Sequence, residues 1–296
     1  AAGSAIGTGT GVLIALVFMA LVLKLNRKFI KRQLSRDRTV ELLSTREVYL
    51  IIITMATPII LSTFIYNCNT SLNLTIYTRV MEHVKGMSEA EAYTQYGLFS
   101  GKAKQIVNIP IALASAMSTA IIPGISGSFA RGDRKEANRR IGTAMRTTML
   151  LSIPCAVGLA VLARPVVLLL YPQKASVDTV ALLLAELSIS VVFYGISTIS
   201  NGILQGIGRV NIPVINAAVA LVAQTVVLVP LLLFTELGLH SLVIAALVYS
   251  LLMCILNGFS VKKELRFRQE LVKTFCIPFL AALIMGAAAM GVYYGL

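Results

Sequence analysis

The chain has 296 residues, with 26 Lys and Arg against 13 Asp and Glu, for a formal net charge of +13. Hydrophobic residues make up 57% and charged residues 13%, and the mean hydropathy is +0.82. Soluble domains carry about a quarter charged residues, so that class is excluded. Long unbroken apolar runs also exclude barrel strands, which are shorter and alternate.

Eight apolar stretches read as spanning helices, at 2–24, 48–72, 104–127, 143–163, 180–203, 211–234, 238–259 and 274–295. Each is near the ~20 residues that cross a hydrocarbon layer of ~30 Å. Backbone groups in lipid must be satisfied within the segment, so the expected fold is all-α, a polytopic membrane helix bundle.

Four short loops at alternate gaps hold most of the basic residues. Loop 24–47 carries eight Lys or Arg, 129–146 six, 204–213 only Arg209, and 260–273 five. The opposite side holds six: Arg79, Lys85, Lys102, Lys104, Arg164 and Lys174. Basic loops stay in the cytoplasm, so the charge is a topology signal rather than a nucleic-acid footprint, with a secondary attraction to anionic lipid headgroups. The first span then runs from outside to inside and the last ends outside. With no initiator Met and no signal-peptide pattern, a fragment is expected, with helices before residue 1 and one after residue 296.

In the first span, Gly3, Gly7 and Gly11 form a small-residue stripe suited to close helix packing. Residues 25–47 are basic with interspersed Phe29, Ile30 and Leu34, and read as an amphipathic linker on the inner headgroups or as a solvated connector. The second span is unusually polar, with Asn67, Asn69, Thr70, Ser71, Asn73 and Thr75, which reads as a cavity-facing half-helix. Outside follows the longest polar segment, 79–103, in which Ser88 and Glu91 make a capping-box pattern.

At about 100° per residue, Lys104, Gln105, Asn108, Ala112, Ser115 and Thr119 share one face of the third span. Lys104 stands at its outer mouth, where an ammonium attracts an anionic phosphate. Snorkelling to the interface is the competing use of such lysines, and fits Lys102 better. Glu186 is the single acid well inside a span. It serves either as a partner for a proton, ion or cationic substrate in a cavity, or as a structural partner of a nearby base or Ser.

Pro58, Pro110, Pro123, Pro154, Pro213, Pro230 and Pro278 interrupt spans, as suits a protein that flexes. The short gaps 164–172 and 235–240 read as tight outer connections. Cys68, Cys155, Cys254 and Cys276 lie in spans without metal spacing, and His83 and His240 sit alone on the outer side, so no metal and no cofactor are expected. There is no GxSxG, Walker loop, HExxH or paired carboxylate, and the chain reads as a non-enzyme.

Three blocks carry a family resemblance: Asn108 to Pro123 (NIPIALASAMSTAIIP), Phe129 to Arg140 (FARGDRKEANRR) with Ile153-Pro154, and Gly202 to Pro213 (GILQGIGRVNIP). They resemble the polysaccharide-transport branch of the multidrug/oligosaccharidyl-lipid/polysaccharide exporter superfamily, in particular its stage V sporulation protein B-like and lipid II flippase group. The resemblance implies two six-helix lobes around a central cavity plus two further helices. On that map 1–24 is the last helix of a first lobe, 25–47 a cytoplasmic linker, 48–260 the second lobe, and 261–296 a loop with an additional helix. Where lipid II flippases tend to have a charged pair, this chain has Gln105 and Asn108.

The expected function is therefore a flippase in the bacterial cell membrane, moving an undecaprenyl-diphosphate-linked glycan by alternating access. Lys104, Gln105, Asn108, Asn69, Asn73 and Glu186 are its expected pathway residues. The expected partners are the lipid-linked glycan and membrane lipids, with no nucleic acid, and a monomeric state. The alternative is a multidrug or cation antiporter of the same superfamily, for which Glu186 is the candidate acid.

Overall fold

A computed structural model describes residues 2–35, 44–171, 176–267 and 269–295, and the described residues are helical with no strand. Eleven helices follow in chain order: α1 (Ala2–Leu25), α2 (Arg27–Leu34), α3 (Thr45–His83), α4 (Glu89–Gly97), α5 (Lys104–Ala130), α6 (Arg134–Val161), α7 (Ala163–Leu170), α8 (Val177–Gly206), α9 (Asn211–Phe234), α10 (Leu239–Leu265) and α11 (Ile277–Gly295). Six described helical stretches are long and apolar enough to cross a membrane, and Gly9–Leu25 adds a shorter apolar helix. The second expected span falls within α3, which continues to His83. The chain is a multi-pass membrane protein.

Residues 1–52 and 53–296 form separate compact units. In the first, α1 leads directly into the short basic helix α2, where Phe29 and Ile30 are exposed. These residues belong to the segment 25–47, of which 36–43 lie outside the described residues. Nothing lies within 4 Å of a side chain placed at Gly11, so this member of the glycine stripe meets no packed neighbour. Ser44 and Glu47 close a reciprocal capping box at the start of α3. The Glu47 amide donates to Ser44 Oγ at 3.3 Å, and the Ser44 amide donates to Glu47 Oε2 at 2.7 Å.

The second unit is built around α8, which packs against α5, α6, α7 and α10, while α10 also packs on α9 and α11 lies on α6. Its glycines explain the central position. A Cβ at Gly206 would stand 2.6 Å from Ser126 Oγ and 2.7 Å from Ile122 Cγ2, and one at Gly195 would stand 2.7 Å from Ser152 Oγ. Gly202 and Gly206, four residues apart, thus let the backbone of α8 close on α5.

Two expectations about irregularity are corrected. Pro58, Pro110, Pro123, Pro154 and Pro230 all lie inside continuous helices. Pro213 falls in the first turn of α9, where a missing N–H costs little, and Pro278 sits in the helical stretch Val272–Tyr293, just after its π-turn. Among the described residues, π-helical turns stand at Leu98–Ala103 and Val272–Cys276, the second directly ahead of Pro278. The short helix expected after Ser88 in the polar segment 79–103 is present as α4. α3 extends through its first residues, and Glu89–Ala130 form one continuous helical rod. Ser88 caps it, accepting from the Glu91 amide at 3.3 Å. The connection expected at 164–172 contains α7, which starts at Ala163 with Pro165 in its first turn.

Candidate functional site

A cavity of about 320 Å³ opens between α5, α8, α9 and α10. From α5 it takes Lys104, Asn108 and Ser115, at helical spacing on one face. Val107 and Ile111 complete that wall. Opposite, α8 contributes Ser190, Tyr194, Ser197, Thr198 and Asn201. Tyr249 and Met253 of α10 and Ala217 of α9 line the remainder. From Leu187 to Asn201 the lining of α8 runs roughly 20 Å along the helix axis at 1.5 Å per residue. Lys104 stands at the outer end and Asn201 towards the inner.

The cavity is polar at its inner end because amides from three helices meet there. Asn257 Nδ2 donates to Ser197 Oγ at 3.3 Å, and Asn216 Nδ2 donates to Asn257 Oδ1 at 2.8 Å. Asn201 Oδ1 is buried and has no hydrogen-bond partner within the protein. An acceptor facing a cavity in this way suits a hydroxyl or amide donor of a ligand.

Of the six residues expected on the pathway, the structure brings Lys104 and Asn108 together in this wall. Gln105 is exposed on another side of α5, being about 100° around the helix from Lys104. Asn69 and Asn73 are buried, but against α9 rather than the cavity. Gln224 Nε2 donates to Asn69 Oδ1 at 2.6 Å and to Asn73 Oδ1 at 2.8 Å, and Asn73 Nδ2 donates to Asn69 Oδ1 at 3.0 Å. The polarity of the second span therefore includes an interhelical amide cluster.

Glu186 does not line the cavity. It lies a turn outward of Ser190, and its Oε2 accepts from His240 Nδ1 at 2.8 Å, so His240 is not alone as the sequence suggested. The pair ties α8 to α10 near the outer surface. Lys102 also has a local role: its Nζ donates to Ser176 Oγ at 2.9 Å and lies 5.6 Å from the Tyr171 ring centroid.

The α8 wall went unrecognised in the sequence. Ser190, Tyr194, Ser197 and Asn201 recur at intervals of four, three and four, which places polar groups on one face of a helix. That spacing was a usable signal.

The fold and sequence match known proteins. A solved structure titled lipid II flippase MurJ, inward closed conformation, superposes with a TM-score of 0.59 at 21% identity, over 84% of this chain and 50% of that one, a likeness of fold. The lipid II flippase MurJ of Bacillus subtilis (strain 168) is 29% identical over 196 residues, 62% of this chain and 34% of that protein. The chain thus spans a third to a half of the length of these relatives. The sequence model of the lipid II flippase MurJ family matches residues 2–295, and the chain belongs to that family.

Proposed function

We propose that this chain forms part of a flippase that carries an undecaprenyl-diphosphate-linked peptidoglycan or oligosaccharide precursor from the inner to the outer leaflet. The observation that carries the reading is the cavity itself: a polar slot inside an apolar bundle, with an ammonium at its outer end and an open acceptor towards its inner end. A diphosphate headgroup needs cationic or N–H donors, and its sugars need acceptors and hydroxyls. Lys104 answers the first requirement, and Asn108, Ser197 and Asn201 answer the second. The lipid tail remains in the bilayer, and no covalent bond is made or broken.

Alternating access would rock the helices around this slot, with the protein working as a monomer. The fit of family membership to the charge-derived topology supports this reading. The antiporter reading needs a cavity-facing acid, and Glu186 is paired with His240 outside the cavity.

The test is depletion of the protein in its own cells, followed by measurement of lipid-linked precursors on each leaflet. An undecaprenyl-diphosphate-linked glycan should accumulate on the inner leaflet. Unchanged precursor levels together with loss of cationic dye efflux would replace the flippase reading by the antiporter.

A further inference from the structure

We infer that the protein holds an anionic phospholipid of the inner leaflet on the side of α6 and α11, away from the cavity described above. The headgroup site is a pocket of about 550 Å³ at the cytoplasmic end of α6. Its wall includes Lys135, Asn138, Arg139 and Arg146 from α6, and Arg266 and Glu270 from the segment that joins α10 to α11. Four basic side chains thus meet one acid.

The charges facing this pocket are accounted for as follows. Glu270 Oε2 accepts from Arg146 Nη2 at 2.5 Å and lies 3.3 Å from Lys273 Nζ. Arg139 is held by Glu136, with bonds of 2.7 and 3.0 Å, and Arg140 shares the same carboxylate at 2.9 Å. Lys135 and Arg266 have no acidic partner among the described residues. The pocket therefore keeps surplus positive charge.

Two buried polar atoms on its lining residues also lack partners. Arg146 Nε is a donor without an acceptor, and Asn138 Oδ1 is an acceptor without a donor. Such groups are costly to leave unmet. A phosphate oxygen satisfies the first and a headgroup hydroxyl the second. Arg266 has φ 51°, in the left-handed region that non-glycine residues seldom adopt, and this turn brings it to the pocket rim.

A free anion would need nothing more, but α6 and the segment leading into α11 also line an apolar groove of about 370 Å³. Its lining includes Ile153 and Val157 of α6 with Phe275, Cys276 and Phe279. Phe275 directly follows Thr274, which lines the basic pocket. Ile153 lies about 10 Å deeper along α6 than Arg146. A charged pocket at headgroup depth above an apolar groove at acyl depth matches one diacyl phospholipid with a phosphate and a free hydroxyl, the chemistry of phosphatidylglycerol.

The test uses the delipidated protein in neutral detergent, with phosphatidylglycerol, phosphatidylcholine or inorganic phosphate added. Native mass spectrometry reads retention, and thermal unfolding reads the shift in midpoint. Phosphatidylglycerol should be retained and raise the midpoint, while phosphatidylcholine and phosphate should not. The exposed pair Lys135→Gln with Arg266→Gln should weaken phosphatidylglycerol binding about 30-fold. Arg146→Lys, which keeps charge but removes Nε, should weaken it further than the control pair Lys262→Gln with Lys263→Gln. Equal retention of both lipids, equal losses in the pocket and control variants, or a full shift with phosphate alone would each overturn the assignment.

Discussion

Glu186 of α8 and His240 of α10 meet at 2.8 Å across the outer end of the bundle, with 37% and 34% of their side chains exposed. At that exposure such a side-chain contact contributes at most about 1 kcal/mol. Glu186→Gln should therefore lower thermal stability only by that amount and leave complementation of a depleted strain intact. Loss of complementation by a stably folded Glu186→Gln protein would return this acid to the transport pathway.

Lys104 is different because it lines the cavity in which the headgroup would pass. A charge-assisted hydrogen bond to phosphate is worth about 1.5–3 kcal/mol. Lys104→Ala should therefore slow translocation about 10- to 100-fold, read as accumulation of inner-leaflet precursor. Lys104→Arg should retain most of the rate, since it keeps the charge. Equal rates for the wild type and the alanine variant would exclude Lys104 from the pathway.

Gln224, fully buried, joins α9 to α3 through two bonds from one nitrogen. Interhelical hydrogen bonds in membranes average about 0.6 kcal/mol and reach about 1.7. Gln224→Leu should cost about 1–3 kcal/mol, because it also strips Asn73 Oδ1 of its donor. The midpoint of thermal unfolding in detergent checks this value, and a change under 0.5 kcal/mol would mean that water replaces the amide.

The contact of Gly206 with Ile122 gives a separable test of packing. Gly206→Ala forces a methyl against Ile122 Cγ2 and Ser126 Oγ, and overpacking of this kind costs about 1–3 kcal/mol. Ile122→Ala removes one obstacle, so the double variant should be more stable than the sum of the single losses. Strict additivity would show that α5 and α8 do not close at this point.

Acid should act on the Ser44–Glu47 cap. Hydrogen bonds from Ser44, the backbone amide first and the hydroxyl second, hold the Glu47 carboxyl below its usual range. A carboxyl whose folded pKa is lowered stabilises the cap above the ordinary value of 4.5, and that stabilisation is lost as pH falls through the lower folded value. Protection of the amides of residues 45–48, taken relative to their intrinsic exchange rate at each pH, should fall across that window, and Glu47→Gln should flatten the dependence.

Particular residues show how much was legible in the sequence. Apolar runs and caps are local properties, so the helices and the capping of the Glu91 amide by Ser88 could be read directly. The spacing of Lys104, Asn108 and Ser115 also located one wall of the cavity. Gln105 was misplaced because adjacent residues on a helix point about 100° apart. Prolines suggested interruptions, yet helix continues through Pro58, Pro110, Pro123, Pro154 and Pro230, and π-turns stand at 98–103 and, just ahead of Pro278, at 272–276.

By itself the sequence determined that this chain is a helical multi-pass membrane protein, because burial in lipid acts on each segment separately, and its basic loops carry the expectation of which side faces in. Tertiary structure alone decided the partners. It set Glu186 on His240, Asn69 and Asn73 on Gln224, and Lys104 opposite the polar stripe of α8. The Glu186 and Lys104 placements depend on how α8 sits against α10 and α5, with Gly202 and Gly206 closing α8 on α5, and the Gln224 cluster depends on how α9 meets α3; no single helix encodes either.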